Sequence, residues 1–198
     1  MDYEVYEKLR SDLISGENIL WAGKPGSSLS SSKGSMFIIL FGIFWLGFAL
    51  FWEYMAILEY LESGVIIMSL FGIPFVIIGL FLVFGIPFYI RSKKKNTYYA
   101  VTNKRIIILS LKRNTKDVQT EFIKEIKGIN KTIKRNGIGT IVFGNNPALK
   151  YMGFNSGMIG YGGPYGPYYG EMCPVFYDIE DAERVYRIVH ELWMKTQQ

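Results

Sequence analysis

The sequence predicts a helical membrane hairpin followed by a small, mostly β domain that ends in one α-helix. Three observations support this fold class. Two apolar runs are long enough to cross a bilayer, two turn signals lie between strand-like segments in the second half of the chain, and the final residues follow a helical period. With 198 residues, the chain has room for one compact domain and an anchor.

The anchor is predicted from residues 34–52 and 65–90. The first run holds 19 uncharged residues and the second holds 26, of which only Ser69 and Tyr89 have polar side-chain groups. A hydrocarbon core of roughly 30 Å needs about 20 helical residues, and core helices of a soluble protein would show the polar faces that both runs lack. The predicted division is a cytoplasmic N-terminal segment 1–33, an anchor 34–90 with spans at about 36–52 and 65–87 and an outside loop 53–63, and a domain 91–198.

Charged residues around the two runs predict their orientation. The connection at 53–63 carries three glutamates and no lysine or arginine, whereas cations flank the other ends of both runs. An excess of Lys and Arg marks the cytoplasmic side of a membrane segment. We therefore expect a multi-pass cell-membrane protein that contacts the lipid bilayer, with both termini in the cytoplasm. The flanking cations are Lys24, Lys33, Arg91, Lys93, Lys94 and Lys95.

Two β-hairpins are predicted after the anchor. Asn103-Lys104 separates two strand-like segments within 96–111, and asparagine tolerates the positive φ of a two-residue turn. A second turn is predicted at Arg135-Asn136-Gly137, between two strand-like segments within 131–143. One or two further strands are expected within 118–129.

The chain is predicted to end in an amphipathic helix that starts at Asp178 or Ile179. Four acidic residues crowd its first turns, where carboxylates suit the helix dipole. Several strands closed by one such helix predict a small barrel or sandwich. The predicted apolar face consists of Ile179, Ala182, Val185, Tyr186, Val189, Leu192 and Trp193.

Three motifs resemble one known family. They are Tyr98-x-x-Val101-Thr102-Asn103-Lys104-Arg105-Ile106-Ile107, Gly16-Glu17-Asn18-Ile19-Leu20-Trp21-Ala22-Gly23-Lys24-Pro25 and Phe176-x-x-Ile179-x-Asp181-Ala182-x-x-Val185-Tyr186. Together they are similar to bacterial pleckstrin-homology-like domain proteins of the membrane-bound branch, which have two transmembrane helices. The resemblance implies a strongly bent barrel of about seven strands capped by the C-terminal helix, and it implies no enzymatic activity.

Positive charge is concentrated in the predicted domain. From Arg91 onward the chain has 18 Lys and Arg against nine Asp and Glu. Such a domain beside an anionic leaflet could contact lipid headgroups, but the same cations can serve as a topology signal or as solvated strand-end charges. Nucleic acid is not expected as a partner, because the charges are scattered and adjoin the membrane. The candidate lipid contacts are Arg91, Lys93, Lys94, Lys95, Lys104 and Arg105.

Residues 153–170 form an uncharged segment with seven glycines, four tyrosines and two prolines. This composition is typical of a mobile loop. Alternatively, the segment is a docking loop in which tyrosines supply amphipathic contact surface. The candidate docking residues are Tyr161, Tyr165, Tyr168 and Tyr169.

No motif in the sequence indicates catalysis, a cofactor or a metal site. Cys173 and His190 are the only residues of their types, and neither a nucleophile motif nor a phosphate-binding loop is present. We therefore expect a membrane-anchored binding or scaffold protein that acts at the cytoplasmic face through protein or anionic-lipid contacts. The alternative is a structural subunit of a larger membrane protein complex. The partner and the oligomeric state are left open.

Overall fold

The computed structural model describes residues 3–26, 33–144 and 173–197. These residues fall into two compact units, described here separately. Residues 3–26, 92–144 and 173–197 form the domain, and residues 33–91 form the helix hairpin. In chain order the elements are α1 (Tyr3–Arg10), β1 (Ile19–Gly23), α2 (Lys33–Ser63), α3 (Ile67–Leu80), α4 (Ile86–Lys95), β2 (Thr97–Thr102), β3 (Arg105–Lys112), β4 (Thr115–Phe122), β5 (Ile129–Ile133), β6 (Gly139–Phe143), β7 (Val175–Ile179) and α5 (Ala182–Thr196).

The two apolar runs form helices that are long and apolar enough to cross a membrane. These helical stretches cover Phe37–Ser63 and Ile67–Lys95, with 27 and 29 residues. A π-helical turn at Phe81–Gly85 joins α3 to α4, and the N–H of Ile86 donates to the carbonyl of Phe81. The next residue, Pro87, has no N–H to donate, so a locally widened turn suits this position.

The predicted loop at 53–63 is helical, which corrects the sequence analysis. Helix α2 continues to Ser63, and the chain turns at Gly64, where φ is +74°. The glutamates, methionine and leucines of 53–63 are good helix formers, so their polarity does not end the helix. Gly64 adopts the left-handed conformation at low cost, and its N–H donates to the carbonyl of Tyr60 at 2.8 Å.

Close packing at glycines joins α2 to the following helices. A Cβ added at Gly79 would lie 3.0 Å from the Cα of Leu46, and one added at Gly42 would lie 2.9 Å from the Cβ of Leu82. Small residues at such positions let helix backbones approach each other in an apolar environment.

The described part of the domain contains seven antiparallel strands in two sheets. One sheet has the order β1-β2-β3-β4, and the other has the order β5-β6-β7. Both predicted hairpins are confirmed: β2 pairs with β3 around Asn103-Lys104, and β5 pairs with β6 around residues 134–138. Helix α5 is also present, but it begins at Ala182. Asp178 and Ile179, where a helix start was predicted, lie in β7, because Ile179 pairs with Gly139 and is fully buried.

The helix hairpin is inserted between two paired strands of one sheet. Strand β1 precedes α2 and strand β2 follows α4, yet Ala22 pairs with Ala100 and Gly23 pairs with Tyr99. The sequence analysis treated residues 1–33 as a separate segment. In the structure, residues 3–26 instead supply a helix and an edge strand to the domain.

Strand β2 is buried on both faces, because each face meets a different layer. Tyr99 and Val101 join the main core, where both sheets meet α5. Tyr98 and Ala100 point the other way, into a second cluster that is covered by α1. The members of the main core that α5 contributes are Ala182, Val185 and Val189. Helix α1 contributes Val5 and Leu9 to the second cluster.

Candidate functional site

The six cations predicted as lipid contacts lie in different environments. Arg91, Lys95 and Lys104 are exposed, and Lys93 is half-buried. Lys94 and Arg105 are instead engaged in ion pairs inside the domain. The tyrosine-rich segment 153–170, with its four candidate docking tyrosines, lies outside the described residues.

Lys94 forms a buried ion pair with Asp178. Its Nζ lies 2.9 Å from the carboxylate Oδ2, and the two side chains are only 2% and 3% exposed. The other carboxylate oxygen lies 3.7 Å from the Nζ of Lys134, while the N–H of Asp178 donates to the hydroxyl of Thr140 at 3.3 Å. The ammonium of Lys94 therefore faces the domain interior, and a headgroup contact does not fit this environment.

Asp178 also binds the chain segment that leads toward α2. Its carbonyl accepts a hydrogen bond from the N–H of Gly26 at 2.7 Å, and a Cβ at Gly26 would come within 2.9 Å of that carbonyl. Asp178 has a φ of +48°, a conformation that aspartate adopts more readily than most other non-glycine residues. This one residue therefore contacts both domain segments that lead into and out of the helix hairpin.

Glu17 and Arg105 form a second internal ion pair. The Nε of Arg105 donates to Oε1 at 2.9 Å and its Nη2 donates to Oε2 at 3.1 Å. The hydroxyl of Thr102 donates to Oε1 at 2.7 Å, and the N–H of Ile14 donates to Oε2 at 2.9 Å. Burial raises the pKa of Glu17, but the bonds from Arg105, Ile14 and Thr102 outweigh it, so the pKa lies below its ordinary value.

The turn between β2 and β3 binds the same N-terminal segment through one backbone group and two side chains. The N–H of Asn103 donates to the carbonyl of Asn18 at 3.1 Å, and the N–H of Asn18 donates to Oδ1 of Asn103 at 2.9 Å. Lys104 donates to the carbonyl of Ser15 at 2.8 Å. Two of the three motifs that carry the family resemblance therefore contact each other, which gives their residue types a structural reason.

A further polar cluster surrounds Glu4 and was not found from the sequence. The Nζ of Lys8 lies 2.8 Å from Oε1 of Glu4, and the Nζ of Lys24 lies 2.8 Å from Oε2. Both ammonium groups lie over the ring of Tyr98, at 4.5 Å and 5.0 Å from its centroid. The i,i+4 spacing of Glu4 and Lys8 was a local signal for part of the cluster, but nothing local indicates Lys24 and Tyr98.

The helix hairpin holds one carboxylate against its partner helix. The hydroxyl of Ser69 donates to Oε1 of Glu53 at 2.8 Å, and Oε2 is a buried oxygen without a hydrogen-bond partner among the described residues. That oxygen packs against Gly72, since a Cβ there would collide with it. This contact was not predicted from the sequence, because Glu53 falls in the predicted loop. Ser69, the one hydroxyl early in the second run, was the available signal.

The described residues contain no group of three or more His, Cys, Asp and Glu side chains that could hold a metal ion. His190 lies on α5, where its ring stacks on Tyr186 at 5.4 Å and lies 6.0 Å from Trp193. Cys173 is half-buried beside β7 and contacts the cluster around Val142 and Val175.

Comparison of the chain with family models, with curated proteins and with solved structures finds no match.

Proposed function

We propose that this chain is a membrane-anchored binding or scaffold protein without catalytic activity, with its domain and both termini on the cytoplasmic side. The domain acts there through protein or anionic-lipid contacts. The observation that carries the proposal is the insertion of the helix hairpin between β1 and β2.

The insertion supports a domain on one side of the membrane. An even number of crossings returns the chain to the side from which it started, and here both ends of the hairpin lead into the same sheet. Charge favours the cytoplasmic side, because Arg91 and Lys95 are exposed after the second run, whereas Glu59 and Glu62 lie close to the Gly64 turn.

The architecture of the domain supports membership of the pleckstrin-homology-like family. Seven antiparallel strands in two sheets with a C-terminal helix packed against them support the barrel that the resemblance implies. The residues of the matching motifs have internal roles, since Glu17 binds Arg105 and Asn18 binds Asn103. A framework held in this way leaves its surface available for partners.

Cysteine labelling of the full-length chain tests the orientation. In a Cys173→Ser background, Glu62→Cys should react with a membrane-impermeant maleimide on intact cells, whereas Lys95→Cys should react only after the cells are permeabilised. The two positions are both exposed, so they form a matched pair. Labelling of Lys95→Cys on intact cells would overturn the orientation, and recovery of the protein in the supernatant after alkaline extraction would overturn the anchor.

A specific observation favours the second candidate, a structural subunit of a membrane complex. Val118 and Phe122 on the edge strand β4 are 38% and 37% exposed and lie on the same face of the strand. A photo-crosslinking residue at position 118 should capture a neighbouring protein, while the exposed position 115 on the same strand serves as the control. Equal capture at both positions would count against a specific surface on β4.

A further inference from the structure

Three hydrogen-bond donors from three parts of the domain converge on the carboxylate of Glu4. Lys8 comes from α1, Lys24 follows β1, and Tyr98 lies on β2. The two ammonium groups bind different oxygens at 2.8 Å, and the hydroxyl of Tyr98 lies 3.5 Å from Oε1. Two cations and a phenol around one carboxylate form an arrangement that selects an anion with two oxygens.

The lysines are positioned by groups other than Glu4. Lys8 also bonds to the hydroxyl of Tyr98, and both ammonium groups lie over the Tyr98 ring. Tyr98 itself is 3% exposed and is fixed in the second core cluster, together with Val5 and Leu9 of α1. The Tyr98 ring would still attract both ammonium groups if the carboxylate left, and their mutual repulsion would favour another anion between them.

Glu4 is free to leave this position. Its side chain is 55% exposed, whereas those of Lys8 and Lys24 are 35% and 29% exposed. The two lysines, Lys24 first, lower the pKa of Glu4 to about 2, which reports the positive potential at the point that its carboxylate occupies.

We propose that Lys8, Lys24 and Tyr98 form a binding site for the phosphodiester monoanion of an anionic phospholipid headgroup, and that Glu4 occupies the site until the lipid displaces it. A phosphodiester carries two terminal oxygens and one negative charge, as the Glu4 carboxylate does. The inference rests on the proposed function, because the anchor supplies the local lipid. Lys8, Lys24 and Tyr98 are not among the six candidate lipid contacts predicted from the sequence.

Lipid binding to the purified full-length protein tests the site. The protein in neutral detergent is titrated with phosphatidylglycerol or phosphatidylcholine, and bound lipids are counted by native mass spectrometry. Lys8→Gln and Lys24→Gln should each weaken phosphatidylglycerol binding about fivefold, and Glu4→Gln should strengthen it by a similar factor. Phosphatidylcholine has the same phosphodiester, but the two lysines repel its choline cation, so its binding should be weak and should not change in any of these variants.

Matched controls lie on the same helix. Glu7→Gln and Arg10→Gln make the same charge changes at exposed positions of α1 and should leave phosphatidylglycerol binding unchanged. Lys8→Arg should restore binding, which separates the site from a loss of folding. If Glu7→Gln strengthens binding as much as Glu4→Gln, the effect is one of net charge and the proposal is wrong.

The source of the phosphate group is resolved by competition. Inorganic phosphate at millimolar concentration should not displace phosphatidylglycerol from the wild type, because the lipid shares the micelle of the protein and therefore has a much higher effective concentration at the site. Complete displacement by phosphate would overturn the lipid assignment. Failure of the proposed anchor would instead appear in the cysteine labelling, which none of the α1 variants affects.

Discussion

Two carboxylates, Glu17 buried in the domain and Glu53 half-buried in the helix hairpin, are satisfied in very different ways. From the described residues, Glu17 accepts four hydrogen bonds, which come from Arg105, Thr102 and a backbone N–H. Glu53 accepts one from them, which comes from Ser69. The sequence explains the difference, since residues 34–90 contain no Lys, Arg or His. The domain is held in register by directed polar contacts, whereas the helix hairpin depends on close packing at glycines such as Gly72 and Gly79.

The largest loss of stability is expected when one partner of the buried Lys94–Asp178 ion pair in the domain is removed. Lys94→Met should lower the free energy of unfolding of the full-length protein by about 3 kcal/mol, because it removes the ammonium group that lies 2.9 Å from the buried Asp178 carboxylate. Lys95→Met, one residue further on and exposed, should change it by less than about 0.5 kcal/mol. Denaturant unfolding in detergent gives both values.

A second variant separates charge pairing from packing at the same place. Lys94→Met combined with Asp178→Asn should recover part of the lost stability, since the buried carboxylate is removed together with the lysine and asparagine tolerates the positive φ of this residue. If the double variant were no more stable than Lys94→Met, packing of the lysine stem would explain the loss.

The next largest effect is expected at Glu17. Glu17→Gln weakens two charge-assisted bonds from Arg105 and should cost about 2 kcal/mol at neutral pH. The pKa of Glu17 is lowered in the folded state, so its contribution is present above the ordinary carboxyl value and is lost as pH falls through the lowered pKa. The variant should therefore lose part of the acid sensitivity of unfolding, while the exposed control Glu7→Gln keeps it.

A smaller effect is expected in the helix hairpin. Ser69→Ala removes the one hydrogen bond to Glu53 and should cost about 0.6 kcal/mol, the usual size of a polar contact between membrane helices. Unfolding of the hairpin in mixed micelles would measure it, with the exposed helical Ser92→Ala as the control. A loss as large as that of Glu17→Gln would remove the contrast between the two units.

The smallest effect should be stabilising. Burial and the nearby Glu125 carboxylate raise the pKa of Glu121 on β4, so its ionised form is disfavoured in the folded domain. Glu121→Gln should therefore stabilise the protein slightly at neutral pH, and the gain should disappear as pH falls below the ordinary carboxyl value. An unfolding midpoint that decreases at pH 7 would show that Lys127 compensates for the repulsion.

The sequence predicted the local parts of the fold because their signals are local. Both hairpins are found where turn residues predicted them, but only one turn uses the expected backbone conformation. Gly137 has a φ of +81°, whereas Asn103 does not have a positive φ and instead bonds to Asn18. The pairing of β1 with β2 was missed, since it joins residues on either side of the helix hairpin. The loop predicted at 53–63 is wrong because the apolar run ends at Trp52 while the helix continues through residues that are good helix formers.

The candidate site was harder to predict, since the sequence gives the charge of a residue but not its partner. Three consecutive lysines, at positions 93–95, have the same side chain in the sequence. In the structure only Lys94 of the three is fully buried, beside Asp178. Arg105 looked like a strand-end cation and instead binds Glu17. A pair of this kind depends on the direction in which each side chain leaves its element, which is fixed only when distant segments meet.

The insertion of the helix hairpin between β1 and β2 sets the order in which the molecule can be completed on the ribosome. At about 5–20 residues per second, β1 emerges several seconds before the strand it pairs with. During that interval the backbone edge of β1 has no native partner, so pairing of β1 with strands of other chains must be avoided. The same connectivity suggests a version of the domain without the helix hairpin. Gly23 and Tyr99 are cross-strand neighbours, so a short turn could connect β1 directly to β2.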